Sequence, residues 1–330
     1  MFQSLLQQLV KPFIYTEPDP LRLARSPIPE LQVTLWPSFK HFKRFSTDKR
    51  LQGIRMNSAM IKCADLDREL PLIPKGKHIP LYFDIKGRQL RVVDVTATRS
   101  TFELILNHPI DCPTPTTVFF KAGEDMARLA EIRQGTHLIF DLFPKWSVHP
   151  GESLHIREPK LKVGGPIFVN AELEKIEKVR KAGFDKWYLS YVEDWQEVNE
   201  LQNLIGKDCE IRLKIESKAG LDFAVNKFKK RDNLSLTTAR GDLYVEVERP
   251  HHIIKACEDI IRKDPDATVG SRMLLSLVKD SCPSCSDLGD LAWLYNLGYR
   301  RFLLCDELCL HEDMMARAVN VFEAFQETCG

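Results

Sequence analysis

Charged side chains follow two neighbouring strand-like runs in the second half of this sequence. Residues 211–215 alternate apolar and polar positions and end next to Glu216, with Lys214 two residues earlier on the same side of the strand. A second run, Leu234–Ala239, leads into a predicted glycine turn that ends in Asp242. Two carboxylates and a lysine at strand ends are costly to bury unless they bind a metal or face a ligand.

Glu216 and Asp242 are predicted to bind a divalent metal, because two carboxylates with room left for substrate and water suit Mg²⁺ or Mn²⁺. Lys214 beside this metal could stabilise negative charge on a reacting group. Gly241 lets the backbone approach a ligand closely. Ser271, which ends the next strand-like run, could donate a hydroxyl. The alternative interpretation of Lys214 and Glu216 is an ordinary ion pair at a strand end.

The order of helices and strands places these side chains at one end of a barrel. Three β units before residue 92 and five after residue 165 alternate with α units. This predicts an α/β fold, the (β/α)8 TIM barrel, whose active site lies at the carboxyl ends of the strands. Strands are predicted at 31–36, 53–57, 79–84, 186–190, 211–215, 234–239, 267–271 and 301–305, and the later helices at 172–182, 194–205, 221–230, 252–263, 286–297 and 312–326.

Residues 92–163 have a different pattern, with short β-branched runs between proline and glycine turns. Such spacing predicts a small β-rich domain inserted into the larger fold. Five prolines between residues 11 and 30 predict an extended arm at the N-terminus. The predicted domains are therefore the arm at 1–30, the TIM barrel at 31–91 and 164–330, and the inserted β-rich domain at 92–163.

Composition excludes several classes of partner. The 330 residues are 44% hydrophobic and carry a net charge of +1, so neither nucleic acid nor membrane binding is expected. No apolar run is long enough to span a bilayer, and residues 1–10 lack the basic start and cleavage site of a signal peptide. Nine cysteines, an odd number, fit reduced thiols. We therefore predict a cytoplasmic protein.

Two cysteines, Cys282 and Cys285, have CxxC spacing, and Cys305 and Cys309 follow. Four thiolates could hold zinc, and a redox-active pair is a second alternative. The irregular spacing of the later pair and the apolar run around Cys305 favour neither, so free thiols are the preferred interpretation.

Several runs together resemble the pyruvate kinase family over most of residues 31–325. The most specific pair is 214–216, which is similar to the family's K-I-E, and 239–243, which is similar to its A-R-G-D-L. Other matches are 55–57 to R-x-N, 84–91 to D-T-K-G-P-E-I-R, 270–274 to A-T-Q-M-L and 304–307 to L-S-G-E. The resemblance implies a barrel with a shortened lid domain at 92–163 and no C-terminal regulatory domain.

The resemblance also implies roles for individual residues. Glu216 and Asp242 would hold Mg²⁺ or Mn²⁺, and Lys214 would stabilise the phosphoryl group in transfer. The carboxylate of phosphoenolpyruvate would meet the backbone of Gly241 and Asp242 and the hydroxyl of Ser271. The implied catalytic residues are Lys214, Ser271 and Arg55, the implied substrate-binding residues are Arg91, Gly241, Asp242, Asn57 and Lys86, and Asp84 belongs to an implied K⁺ site.

Departures from the family pattern lie mainly on the nucleotide and monovalent-cation side. Ala59 stands where the family's S-H-G follows R-x-N, and Ile85 replaces a threonine. Glu193 replaces an arginine, and Tyr244 replaces the glycine after A-R-G-D-L. These changes remove oxygen ligands from the K⁺ site and put the nucleotide contacts in question.

Three functions follow from this pattern. The first is phosphoryl transfer between phosphoenolpyruvate or pyruvate and ADP or ATP, in a possible homo-oligomer. The second is metal-dependent enolate chemistry of the aldolase or lyase type on pyruvate or another α-keto acid, for which Glu216 and Asp242 suffice. The third is a non-catalytic homologue with a binding or regulatory role, which the retained acids disfavour.

Overall fold

Eight parallel strands close into a barrel in the computed structural model, which describes residues 28–74, 76 and 78–329. Each barrel strand pairs with the barrel strands that come before and after it in the chain, so that β3 pairs with β12 across the inserted residues, and the last strand pairs with the first. Helices follow the strands, which is the (β/α)8 arrangement. The TIM barrel with an inserted β-rich domain is thus confirmed. Most of the predicted N-terminal arm, residues 1–27, lies outside the described residues.

The elements have the following bounds. The strands are β1 Glu30–Thr34, β2 Gly53–Asn57, β3 Leu81–Ile85, β4 Val92–Ala97, β5 Phe102–Leu106, β6 Ile110–Asp111, β7 Thr116–Phe120, β8 Asp125–Arg133, β9 His137–Leu142, β10 Leu154–Ile156, β11 Lys162–Val163, β12 Lys186–Leu189, β13 Glu210–Ile215, β14 Leu234–Ala239, β15 Thr268–Gly270 and β16 Arg301–Leu303. The α-helices are α1 Phe42–Phe45, α2 Cys63–Glu69, α3 Asn170–Lys181, α4 Trp195–Ile205, α5 Lys218–Asp222, α6 Arg240–Glu246, α7 His252–Lys263, α8 Cys285–Leu297, α9 Asp306–Cys309 and α10 Glu312–Cys329.

Alternation along β13 explains how the barrel carries charge inside. Ile211, Leu213 and Ile215 are fully buried in the apolar layer between strands and helices. Arg212 and Lys214, on the other side of the strand, point into the barrel. Arg212 closes the amino end, where its guanidinium donates to the Tyr82 hydroxyl at 2.7 Å and to the Tyr188 hydroxyl at 3.2 Å. The carboxyl end is left for Lys214 and its neighbours.

Residues between β3 and α3 form a second sheet with a separate hydrophobic core. Its six antiparallel strands run in the order β10-β7-β8-β9-β5-β4, and β11 pairs with β6 beside it. The buried side chains of this sheet, which include Phe102, Phe120 and Phe140, cluster apart from the barrel core. The boundaries 92–163 stay a prediction, and so does the function of this domain as a lid.

Two local expectations were wrong. The predicted glycine turn after β14 is the first part of α6, so Gly241 and Asp242 lie within a helix. The helix predicted at 221–230 is instead α5, which begins where the Ser217 side chain accepts from the Gly220 N–H at 3.0 Å, followed by a π turn over Phe223–Lys227. Capping by Ser217 sets the start of α5, whereas α6 begins at Arg240 without a side-chain cap, and hydrophobic spacing alone reveals neither start.

The other boundaries agree to within three residues, and capping explains the small difference at α4. Asp194 accepts from the Gln196 N–H at 3.1 Å and lies outside the helix, which therefore begins at Trp195. No helix in the described part of the chain is long and apolar enough to cross a membrane.

Candidate active site

Lys214 lies at the centre of a buried network of charges at the carboxyl end of the barrel. Its Nζ is 2.9 Å from Glu216 Oε1, 3.1 Å from Asp84 Oδ2 and 2.9 Å from Ser190 Oγ. Burial disfavours the ammonium, but the charges of Asp84 and Glu216 outweigh burial and raise the pKa of Lys214. Lys214 therefore carries a permanent positive charge, and it pairs with two acids, Asp84 and Glu216, rather than with Glu216 alone.

Asp84 is surrounded by cationic side chains. Lys86 Nζ is 3.0 Å from its Oδ2, and Arg55 Nη1 is 3.7 Å from the same oxygen, in addition to Lys214. Burial opposes ionisation of Asp84, but Lys214 and Lys86 hold the pKa of this carboxyl well below its usual range. These contacts do not fit a K⁺ ion at Asp84, because three protein cations already neutralise the carboxylate and Ile85 brings no oxygen.

Glu216 and Asp242 approach each other from β13 and α6. Glu216 Oε2 accepts from the Tyr191 N–H at 2.8 Å, which fixes its orientation. Burial raises the pKa of Glu216, Lys214 opposes the rise, and the negative charge of Asp242 adds to it. A buried carboxylate, Glu216, and a partly buried one, Asp242, repel each other and offer only oxygen ligands, which fits a divalent cation such as Mg²⁺ or Mn²⁺. In residues 28–74, 76 and 78–329 no group of three His, Cys, Asp or Glu could hold a metal, so these two would need substrate or water as further ligands.

His155, which lies on β10 of the inserted domain, contacts Asp242 and a further acid of α6, Glu246. Its Nε2 is 3.2 Å from Asp242 Oδ1 and its Nδ1 is 2.7 Å from Glu246 Oε1. Burial disfavours the imidazolium, but both carboxylates outweigh it and raise the pKa of His155 to about 10. Sequence reasoning missed this residue, because an isolated histidine in an inserted domain gives no indication of which barrel strand end it reaches.

Gly241 and Ser271 lie next to each other at the same end of the barrel. A Cβ added to Gly241 would lie 3.5 Å from Ser271 Oγ, so the serine hydroxyl is next to this backbone. Ser271 and Arg272 both have left-handed backbone angles, with φ of 67° and 58°. Such angles are uncommon in residues other than glycine and cluster at ligand sites. Arg272 donates to the Ala122 carbonyl at 3.0 Å and thereby connects the barrel with the inserted domain.

Arg55 and Asn57 at the end of β2 share one acidic partner, Asp306 of α9. Arg55 Nη2 donates to Asp306 Oδ1, and Asn57 Nδ2 donates to Asp306 Oδ2 at 2.8 Å. Sequence reasoning missed this role of Asp306, although the residue stands at the glycine of the family's L-S-G-E run. That mismatch was the available signal.

One cavity of about 670 Å³ between the barrel and the inserted domain brings the predicted site residues together. Asp84 lies beneath its floor and does not line it. Arg91 donates to the Gly151 carbonyl at 2.6 Å and to Gln89 Oε1 at 2.5 Å, so its guanidinium has no carboxylate partner in the described structure. The Thr237 hydroxyl is buried at the cavity and finds no hydrogen-bond partner among the described residues. The predicted site residues that line the cavity are Arg55, Asn57, Lys86, Arg91, Lys214, Glu216, Gly241, Asp242 and Ser271.

Comparison with known proteins finds a distant relative. The chain is 24% identical over 231 residues to the pyruvate kinase of Methanocaldococcus jannaschii, a match over 66% of this chain and 50% of that protein. The chain is distantly related to a pyruvate kinase. It spans about half the length of this curated relative. No protein-family model matches the chain.

The CxxC cysteines lie apart from this site. Cys282 and Cys285 are exposed and free, whereas Cys305 and Cys309 are buried and free. Across the residues for which the structure gives positions, cysteines form no group that could bind zinc. Free thiols stay the prediction for these four cysteines.

Proposed function

We propose that this protein is a pyruvate-kinase-like enzyme that uses Mg²⁺ or Mn²⁺ to act on phosphoenolpyruvate or pyruvate. The observation that carries the proposal is the convergence of Glu216 and Asp242 with Lys214, whose Nζ is 2.9 Å from Glu216 Oε1. The distant similarity to a pyruvate kinase supports the same chemistry. A cytoplasmic location and homo-oligomerisation remain predictions.

The acidic, cationic and neutral groups of this site would have different roles in the reaction. A divalent metal at Glu216 and Asp242 would stabilise negative charge on the enolate oxygen. Lys214, held cationic by its acidic neighbours, would neutralise charge on the reacting group without having to reorganise. The substrate carboxylate would accept hydrogen bonds from the Ser271 hydroxyl and the Gly241 backbone, which adjoin each other.

Phosphoryl transfer is the first candidate reaction. Arg91 offers a guanidinium without a carboxylate partner among the described residues, and such a group binds phosphate oxygens well. The cavity of about 670 Å³ leaves room beside a three-carbon acid for a second substrate. ADP or ATP would be that second substrate.

Enolate chemistry on an unphosphorylated α-keto acid is the second candidate reaction. The contact of Asp306 with Arg55 and Asn57 favours it, because two residues expected to serve the phosphoryl group are occupied by an acid. Both candidates need the same metal and the same Lys214.

The test is metal binding followed by turnover. Glu216→Gln is expected to weaken Mn²⁺ binding at least tenfold, measured by calorimetry, because a neutral amide replaces a charged ligand. Glu124→Gln, which removes an exposed acid at the same cavity, is the matched control and should bind Mn²⁺ like the parent. Equal affinity in the Glu216 variant would contradict the metal site.

Turnover separates the candidate reactions. Phosphoryl transfer predicts Mn²⁺-dependent ATP formation from phosphoenolpyruvate and ADP. Enolate chemistry predicts Mn²⁺-dependent exchange of the pyruvate methyl protons with D₂O and no ATP. Neither activity in a protein that binds Mn²⁺ would contradict the enzymatic proposal.

A further inference from the structure

Asp306 places an acid where the cavity has its most buried arginine. Arg55 donates through Nη2 to Asp306 Oδ1 and lies 3.7 Å through Nη1 from Asp84 Oδ2, so its guanidinium is bound by acids on both sides. Asn57 Nδ2 holds the other Asp306 oxygen at 2.8 Å. Both carboxylate oxygens of Asp306 therefore have donors, while a third of its side chain remains accessible from the cavity (33%).

This contact resembles the one that a bound phosphoryl group would make. Arginine and an amide N–H₂ are donors that bind the oxygens of carboxylate and phosphate in the same way. The amino groups of Arg55 are both engaged, since Nη1 faces Asp84 and Nη2 donates to Asp306, and Nε is buried out of reach of a ligand although it has no hydrogen-bond partner among the described residues. A phosphoryl group at Arg55 would thus have to displace Asp306 or lie against its negative charge.

The net charge of the residues that line the cavity also disfavours a phosphoryl group at Arg55. Six cationic and six acidic side chains line it, so the lining is neutral with Asp306 and would be positive by one without it. A phosphate ester carries roughly −1.5 to −2 near pH 7, so a phosphorylated enol acid with one divalent metal brings about −1 in total. An unphosphorylated α-keto acid with the same metal brings about +1. The acid at position 306 therefore favours the latter.

We propose that Asp306 is an internal anion that occupies the phosphoryl position of Arg55 and Asn57, so that the site selects an unphosphorylated α-keto acid over a phosphorylated enol ester. This inference rests on the proposed metal-dependent chemistry at Glu216 and Asp242. It makes Asp306 a specificity-determining residue, and it predicts that this site binds pyruvate productively and phosphoenolpyruvate poorly.

Two substitutions distinguish the effect of the negative charge of Asp306 from the effect of the volume that its side chain fills. Asp306→Asn keeps the shape and an acceptor for Arg55 but removes the charge, and Asp306→Gly also empties the position. Glu124→Gln, an exposed acid at the same cavity, controls for the change in net charge. The full chain and the three variants, each checked for its folded circular dichroism spectrum, are titrated with phosphoenolpyruvate in the presence of Mn²⁺ by calorimetry. Exchange of pyruvate methyl protons with D₂O is measured alongside.

We expect phosphoenolpyruvate to bind at least tenfold more tightly to both Asp306 variants than to the parent and to the Glu124 variant. Pyruvate proton exchange should persist in the parent. Equal phosphoenolpyruvate affinity in all four proteins, or tight binding by the parent, would overturn the role of Asp306. If no protein exchanges pyruvate protons, the proposed chemistry fails, and the calorimetric comparison still decides whether Asp306 fills the phosphoryl position.

Discussion

Buried charges at this site are stable because each has a partner of opposite sign. Asp84 is fully buried and would be costly alone, since an unpaired buried charge loses its hydration. This cost is offset by the attraction of Asp84 to Lys86, Lys214 and Arg55. The carboxylate in turn holds these three cations in place. Removing one partner from such a set commonly costs about 3–5 kcal/mol. The network thus orients the cations before any ligand arrives.

Glu193 is the residue at which we predict a pH-dependent cost. Burial raises its pKa, and the charges of Glu197 and Glu246 add to that rise, while the Ser217 hydroxyl and Arg88 oppose it. Because the native state holds this proton more tightly than the unfolded chain, the group's stabilising contribution is present at low pH. It is lost as the pH rises through the raised native pKa.

Glu193→Gln is therefore expected to increase the free energy of unfolding at pH 7, because it removes a disfavoured negative charge and keeps an acceptor for Ser217. The gain should shrink as the pH falls towards 4, because the unfolded chain then also binds most of this proton. Urea denaturation at the two pH values measures it. Glu327→Gln, at an exposed position in α10, is the control and should show no such pH dependence. A gain of equal size at both pH values would contradict the assignment.

At the scale of elements, the turns after the barrel strands determine where side chains point. Tyr191 follows β12 with a left-handed φ of 55°, which aims its N–H at Glu216. Gly220 lies in α5, close behind the same turn, and a Cβ there would lie 2.6 Å from the Val192 carbonyl oxygen. Close approach of α5 to the end of β12 therefore requires glycine at this position.

Gly220→Ala is expected to destabilise the protein by about 1–3 kcal/mol, because the added methyl forces the backbone apart. The matched control is Gly289→Ala in α8, where a Cβ would meet nothing within 4 Å. That substitution should stabilise by about 0.5–1 kcal/mol, the ordinary gain of alanine over glycine within a helix. Thermal unfolding measures both. Similar effects of the two changes would contradict the close packing of α5.

At the scale of the whole molecule, contacts around the cavity join the inserted domain to the barrel. His155 reaches Asp242 and Glu246, and Arg272 reaches the Ala122 carbonyl. Arg157 donates to the Val245 carbonyl in the same region. The candidate active site therefore depends on both parts of the chain, and the function of the inserted domain as a lid stays a prediction.

The reactivity of cysteines tests the arrangement of the whole molecule. Burial raises the pKa of the Cys257 and Cys309 thiols to about 12, whereas Cys282 and Cys285 are exposed. Since the thiolate is the reactive form, iodoacetamide at pH 8 should label the buried pair at least about a hundredfold more slowly. Mass spectrometry of digested protein measures the rates, and guanidinium chloride should abolish the difference. Comparable labelling of all four in the native protein would contradict the fold.

The sequence by itself determined the barrel, and it predicted a set of site residues most of which line one cavity. The alternation along β13 and the order of helices and strands depend on the local spacing of apolar residues, and this spacing can be seen directly in the sequence. Lys214, Glu216 and Asp242 could be predicted to meet because parallel strands end at one edge of a barrel. The glycine turn was predicted wrongly because residues 240–246 continue as a helix whose start is set by local backbone conformation.

Only the tertiary structure decided which partners these residues have. Asp84 is joined to Arg55 on β2 and to Lys214 on β13 as well as to nearby Lys86, His155 comes from another domain, and Asp306 binds Arg55 at a separation of 251 residues. Local patterns carry no information about such contacts, because electrostatic pairing depends on distance in space. In the sequence, Lys214 and Glu216 are two charges at a strand end. The fold places them in a site where acids and cations neutralise one another and where Arg55 already binds Asp306.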